Sequence, residues 1–292
     1  MARWDNRRRS DNVERRAGQA VGAGAIFMLI RFIFSKFGIV GVAVVVAGYF
    51  GLKQIGIDPL QLLAGGSPTQ STTIGDGQYD DEILAVVAST EDIWARVFRE
   101  EGLNGGIYPA PKVVIFSGAV STACGTAPSS VGPFYCPGDR KVYFDTTFFK
   151  ELETRFNAGG DFPRAYVIAH EVGHHVQTVV GISDQVRSAQ GRMGQSESNQ
   201  MQVRMELQAD CLAGLWANGE RRQALEPGDI EEALTAAAAI GDDTLQRRSG
   251  GTIKPETFTH GTSEQRKRWF YRGFDTGSFG ACDTFQVPYG QL

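Results

Sequence analysis

The chain has 292 residues, 42% of them hydrophobic and 21% charged, an ordinary globular composition that puts one sizeable domain or two small ones within reach. Its formal charge of -4 is unevenly spread: residues 1–53 hold nine Lys/Arg against three Asp/Glu, which leaves the remainder at -10. Because the basic stretch abuts an apolar segment, membrane orientation explains it better than nucleic acid, so no nucleic-acid partner is expected.

Residues 1–19 are polar and Arg-rich (Arg7, Arg8, Arg9, Arg15, Arg16) without hydrophobic periodicity, and read as a disordered cytoplasmic tail. Residues 20–55 form the expected membrane anchor. The run 37–52 is uncharged but short for a crossing helix, so the span is placed at about 33–55, with Lys36 and Lys53 snorkelling. A cleavable signal peptide is the rival reading, disfavoured by the long basic start and the lack of a clear small-x-small cleavage site. The positive-inside rule then gives a single-pass protein of the bacterial inner membrane, N terminus cytoplasmic and the following domain extracytoplasmic. Residues 56–78, rich in Gly, Ser, Thr and Gln, read as a linker to a domain at 79–292.

That domain opens with an amphipathic helix at 81–101 ended by Gly102. Two β-type runs follow at 113–116 and 141–144, joined by a loop that Cys124 and Cys136 bracket. Helices are predicted at 164–180, 198–218, 227–245 and 263–274. All four cysteines (Cys124, Cys136, Cys211, Cys282) lie after the apolar segment, and none forms a Cys-x-x-Cys pair, which disfavours structural zinc and a redox module. A local Cys124–Cys136 bridge, leaving Cys211 for Cys282, is the preferred connectivity and suits an oxidising compartment. Four reduced, buried thiols in a cytosolic protein are the alternative.

The chemistry concentrates in His170-Glu171-Val172-Gly173-His174, a His-Glu-x-x-His pattern inside an apolar helical segment. Residues four apart share a helix face, so His170 and His174 can bind one zinc, and Glu171 is placed to take a proton from water as general base. His175 points to another face and is expected to have a hydrogen-bonding role. A third histidine six residues on is absent, since that position is Val180. The downstream Glu206 and Asp210 sit in an apolar helical setting, which is a poor place for idle charges. Glu206 is the expected third metal ligand, and Asp210, one turn on, the carboxylate that orients a ligand histidine. His260 and Arg266, at the start of the last helix with Thr262 or Ser263 as its cap, are candidate catalytic groups for the oxyanion, with capping or surface roles as the alternative.

These motifs, together with Arg9-Ser10-Asp11-Asn12-Val13-Glu14, Cys124-Gly125-Thr126-Ala127 and Gly132-Pro133-Phe134-Tyr135-Cys136-Pro137, resemble the neutral zinc metallopeptidase family of bacterial membrane proteins, a gluzincin-type group. The resemblance runs over nearly the whole chain. In related membrane gluzincins Glu-x-x-x-Asp matches Glu206 and Asp210, and a His with Arg six positions later matches His260 and Arg266, although those counterparts have Pro where this chain has Gly261. It implies an α+β fold: a mainly helical zincin-like metallopeptidase domain with a small β-sheet, preceded by one N-terminal transmembrane helix. It also implies an edge strand, placed at 141–145, that holds an extended peptide over the metal, with Tyr143 or Asp145 as candidates to touch substrate and core packing as the favoured role for the aromatic residues. The expected cofactor is one Zn2+ per chain, the partners are a peptide or protein substrate and the membrane, and the oligomeric state is left open. A non-catalytic zinc-containing membrane protein that binds a partner is the competing reading.

Overall fold

A computed structural model describes residues 4–16, 79–128, 131–154, 158–221, 225–248 and 252–292. The expected anchor at 20–55, its span at 33–55 and the linker at 56–78 lie outside the described residues, among which no helix is long and apolar enough to cross a membrane. The architecture is α+β and mainly helical. In chain order it comprises β1 (Val13–Arg16), α1 (Asp80–Glu101), β2 (Lys112–Phe116), β3 (Ala119–Thr122), β4 (Gly125–Pro128), β5 (Phe134–Cys136), β6 (Lys141–Asp145), α2 (Thr147–Thr154), α3 (Asp161–Val179), α4 (Ile182–Gln190), α5 (Gln195–Glu220), α6 (Asp229–Ala239), α7 (Asp242–Arg248) and α8 (Ser263–Thr276).

Four strands make one sheet in the order β1-β2-β6-β5, with β1 and β6 parallel to β2 and β5 antiparallel to β6, while β3 and β4 form a separate hairpin. β6 is therefore an inner strand, buried along Val142 to Asp145. This corrects the expectation that 141–145 is the edge. Asp145 accepts hydrogen bonds from Gly118 N–H, Thr147 N–H and the Thr147 hydroxyl, and the Tyr143 hydroxyl donates to Asp139, so neither is available to a substrate. The edge beside the helices is β5, which the Cys124–Cys136 disulfide ties back to the β3–β4 hairpin.

The helical half is organised by α5, which packs against both α3 and α8. Gly214 and Gly273 let α5 and α8 touch through backbone: a Cβ on Gly273 would lie 1.8 Å from the Cys211 carbonyl oxygen, and one on Gly214 2.0 Å from that of Phe270. The Cys211–Cys282 disulfide joins α5 to the segment after α8, so both expected pairings are present. The predicted helix at 227–245 is broken into α6 and α7 at Ile240 and Gly241, where a side chain on Gly241 would collide with Ser263. Thr262 caps α8 as expected: its hydroxyl accepts from Gln265 N–H, and the Gln265 side chain accepts from Thr262 N–H.

The Arg-rich start is folded, contrary to the reading of a disordered tail. Trp4 is buried and stacks on Trp216, with ring centroids 6.2 Å apart, and β1 adds a parallel strand beside β2. Ionisation made this stretch look like a solvated run, but its charges are met by acids of the domain: Arg7 by Glu220, Arg8 by Glu91 at 2.7 Å and Asp92 at 2.9 Å, Arg9 by Asp81, and Arg15 by Asp80 at 2.5 Å. Glu220 is buried and also accepts from the Ser89 hydroxyl, which in turn accepts the Trp216 indole N–H at 2.8 Å. Exposed pairs of this kind are individually weak, but Glu220 without Arg7 is a buried charge without its counter-ion. Arg7→Ala should cost about 3–5 kcal/mol, with Glu220→Gln in the same chain recovering much of it. Urea unfolding of the detergent-solubilised full chain, followed by tryptophan fluorescence, reads both.

Candidate metal centre

The apolar stripe Val167, Ile168, Val172 and Val176 buries α3 in the core and leaves His170, Glu171 and His174 lining a cavity of about 660 Å³. Across from it, α5 brings Glu206. The two helices come close because residue 173 is glycine: a Cβ there would lie 3.1 Å from the Ala209 carbonyl oxygen and 3.3 Å from its Cα. A larger residue inside the His-Glu-x-x-His turn would push Glu206 away from the histidines.

His170 Nε2 lies 3.2 Å, and His174 Nε2 3.4 Å, from the same Glu206 oxygen, Oε2. Two ligands bound 2.0–2.1 Å from zinc at a tetrahedral angle are about 3.3–3.4 Å apart, so these separations are edges of a zinc tetrahedron. The other ring nitrogens are held from behind. His170 Nδ1 donates to Asp210 Oδ1 at 2.8 Å, and His174 Nδ1 to Gln177 Oε1 at 2.9 Å, an arrangement that fixes both Nε2 lone pairs toward one point. Glu206 Oε1 accepts from Gln202 Nε2 at 2.9 Å. His170, His174 and Glu206 form a group able to hold a metal ion.

Charge balance agrees. Burial works against ionised Asp210, but Arg266 and then His170 outweigh it and hold the carboxyl at about 2. Arg266 Nε donates to Asp210 Oδ2 at 2.8 Å and Nη2 to Oδ1 at 2.9 Å, so that carboxylate has its cation. Glu206 has no Lys or Arg pair among the described residues, and its pKa is nevertheless lowered against the burial penalty by His174 and His170. Burial likewise penalises protonated His170, yet Asp210 and Glu206 raise it to about 10. A cation bound between these groups would take the place of the histidine proton, and a His2Glu donor set suits zinc.

Arg266 lines the same cavity. Its guanidinium is buried and bonded to Asp210 and to the Tyr166 hydroxyl at 3.1 Å, so it positions Asp210. Tyr166 completes the ring by donating to Asp210 Oδ1 at 2.6 Å. His260 lines the cavity, half-exposed, with Nδ1 3.3 Å from Asp242 Oδ1, and this contact raises its pKa against burial. Gly261 after it takes φ 85°, which proline cannot adopt, so the turn here differs from one built on His-Pro.

A family described as "Putative neutral zinc metallopeptidase" matches residues 2–285. The chain belongs to that family. Among its relatives, "Uncharacterized protein YpfJ" of Escherichia coli K12 is 45% identical over 285 residues, covering 97% of this chain and 98% of the relative. "Uncharacterized protein Rv2575" of Mycobacterium tuberculosis H37Rv is 48% identical over 192 residues, 62% of this chain and 64% of the relative. No solved structure matches.

For this zinc metallopeptidase family member, sequence reasoning missed Tyr166, Gln177 and Gln202, which support the centre from outside it. Gln177 and Tyr166 carried a usable signal: each is a polar side chain one turn from a ligand histidine on α3. Gln177 is fully buried and also donates to Met205 O at 2.8 Å and Gln208 Oε1 at 3.0 Å. Gln177→Met should therefore weaken zinc binding about 10–100-fold, measured by competition with a chromophoric chelator, while the circular-dichroism spectrum stays that of the parent.

His175 is not brought to the centre. Its Nε2 donates to Pro109 O at 2.6 Å and its Nδ1 accepts from the Tyr135 hydroxyl at 3.2 Å, linking α3 to β5. Burial pushes its pKa down to about 4 against the opposing Pro109 bond. The unfolded chain takes up this proton near pH 6.5 and the folded chain only near 4, so stability is whole above 6.5 and falls as pH drops to 4, by about 3 kcal/mol. Urea midpoints between pH 7 and 4 should fall more steeply for the parent than for His175→Asn.

Proposed function

We propose that the protein is a membrane-anchored zinc metalloendopeptidase whose domain lies on the extracytoplasmic side and hydrolyses peptide bonds in extended substrates. The observation that carries this reading is that two histidine nitrogens and one carboxylate oxygen stand at zinc-ligand separations on the wall of an open cavity, with Glu171 beside them. Bound zinc would supply Lewis acidity, lowering the pKa of water and polarising a carbonyl.

Glu171 takes the proton of the attacking water and passes it to the leaving amine, a role that needs a carboxylate next to the ligands but outside the ligand set. His260, raised in pKa by Asp242, faces the same cavity and donates a hydrogen bond to the oxyanion as it forms. Asp210, held by Arg266 and Tyr166, keeps His170 in its ligand tautomer. The substrate backbone adds to β5: this terminal strand runs along the cavity through Phe134 and Tyr135, and an edge strand offers hydrogen-bonding groups at every second residue. The two disulfides support an oxidising compartment.

The purified, zinc-loaded full chain should cleave members of a proteome-derived peptide library, with new termini read by mass spectrometry. Glu171→Gln should keep one zinc per chain and lose about 10²–10⁴-fold or more in rate. Cleavage that survives in Glu171→Gln removes the assigned base. A parent that binds zinc and cuts nothing supports the partner-binding alternative.

A further inference from the structure

The packing of residues 4–16 bears on how the chain meets the membrane. The Val113 N–H donates to Asn12 O at 2.8 Å, the Ser10 N–H to Leu84 O at 3.0 Å, and the Ser10 hydroxyl and Asn12 amide both donate to Glu91. With Trp4 stacked on Trp216 and β1 paired to β2, this segment is an integral strand of the domain. The Arg15–Asp80 pair at 2.5 Å further sets the place where the chain leaves the domain beside the place where it returns.

Between those two places the sequence carries the apolar stretch 20–52. One crossing of the bilayer would put residues 4–16 and 79–292 on opposite sides of a hydrocarbon core about 30 Å thick, and hydrogen bonds between β1 and β2 cannot be made through it. A complete sheet therefore requires residues 4–16 and 79–292 to stand on one face of the membrane. The basic residues that favoured a cytoplasmic tail have another reason to exist, since Arg7, Arg8, Arg9 and Arg15 are neutralised by Glu220, Glu91, Asp92, Asp81 and Asp80.

We propose that residues 4–16 and the metal-centre domain stand on the same, extracytoplasmic face of the membrane, so that no single crossing of the bilayer separates them. The side follows from the disulfides, one of which, Cys211–Cys282, lies in the same helix, α5, that supplies Glu206, Trp216 and Glu220. The proposal does not depend on the peptidase reading.

The four native cysteines are paired, so the parent chain is a blank for thiol labelling. Asp11→Cys and Ser196→Cys, both at exposed positions, would each be introduced into the full chain and treated with a membrane-impermeant maleimide in intact spheroplasts, with a cytoplasmic thiol protein as control. Label on both variants without permeabilisation is the expected result. Label on Ser196→Cys alone overturns the shared face, and label on neither until the membrane is broken overturns the assigned side. Glu14→Cys with Lys112→Cys, whose native side chains meet at 3.7 Å, gives a second reading in the same membranes. A short bis-maleimide should hold the two together after proteolysis between them, and failure to link them in a zinc-binding, folded sample overturns the docking on which the topology rests.

Discussion

The carboxylate of Asp210 is the point on which the helical half depends. It sits on α5, receives a bidentate guanidinium from α8, and receives Tyr166 and His170 from α3. A fully buried carboxylate is tolerable only when nearly every lone pair is occupied, and here four donors from two other helices occupy them. The same contacts that make the charge affordable set the rotation of α3 against α5, and that rotation decides where the His170 ring points. Structure and ligand geometry are thus one set of hydrogen bonds.

Glu206 lies one turn away with the opposite balance. Its neighbours are His170, His174 and Gln202, and no Lys or Arg pairs with it among the described residues, so what offsets its charge is a proton on a histidine, which a metal ion bound there would replace. The contrast between two carboxylates four residues apart on one helix, one tied to an arginine and one facing only histidines and a glutamine, separates the residue that positions from the residue that binds.

Much of the centre was legible because it is local. His170, Glu171 and His174 lie within two turns, and Glu206 and Asp210 stood out as acids in an apolar helix. Arg266 was placed on the right helix, but its bond to Asp210 was not foreseen, because the burial that turns it toward Asp210 arises from the backbone contact of α5 and α8 at Gly214 and Gly273, which no single segment announces. Likewise β6 was recognised as a strand, yet its inner position depends on β1 and β5, one hidden in an Arg-rich run and the other only three residues long. The arginines misled for a physical reason: the acids that meet Arg7, Arg8, Arg9 and Arg15 lie 65 or more residues away, so patterning alone reads them as solvated.

The strand made of residues 13–16 also imposes an order on folding. It is synthesised before everything it touches: β2 follows about a hundred residues later, and Trp216 and Glu220, which receive Trp4 and Arg7, more than two hundred later. A segment made this early is consequently among the last that can find its place, and its contacts are long-range. Such contacts demand loop closure before they return any stabilisation, so completion of this sheet belongs to the slow, high-contact-order end of folding, after α5 has formed a surface for Trp4.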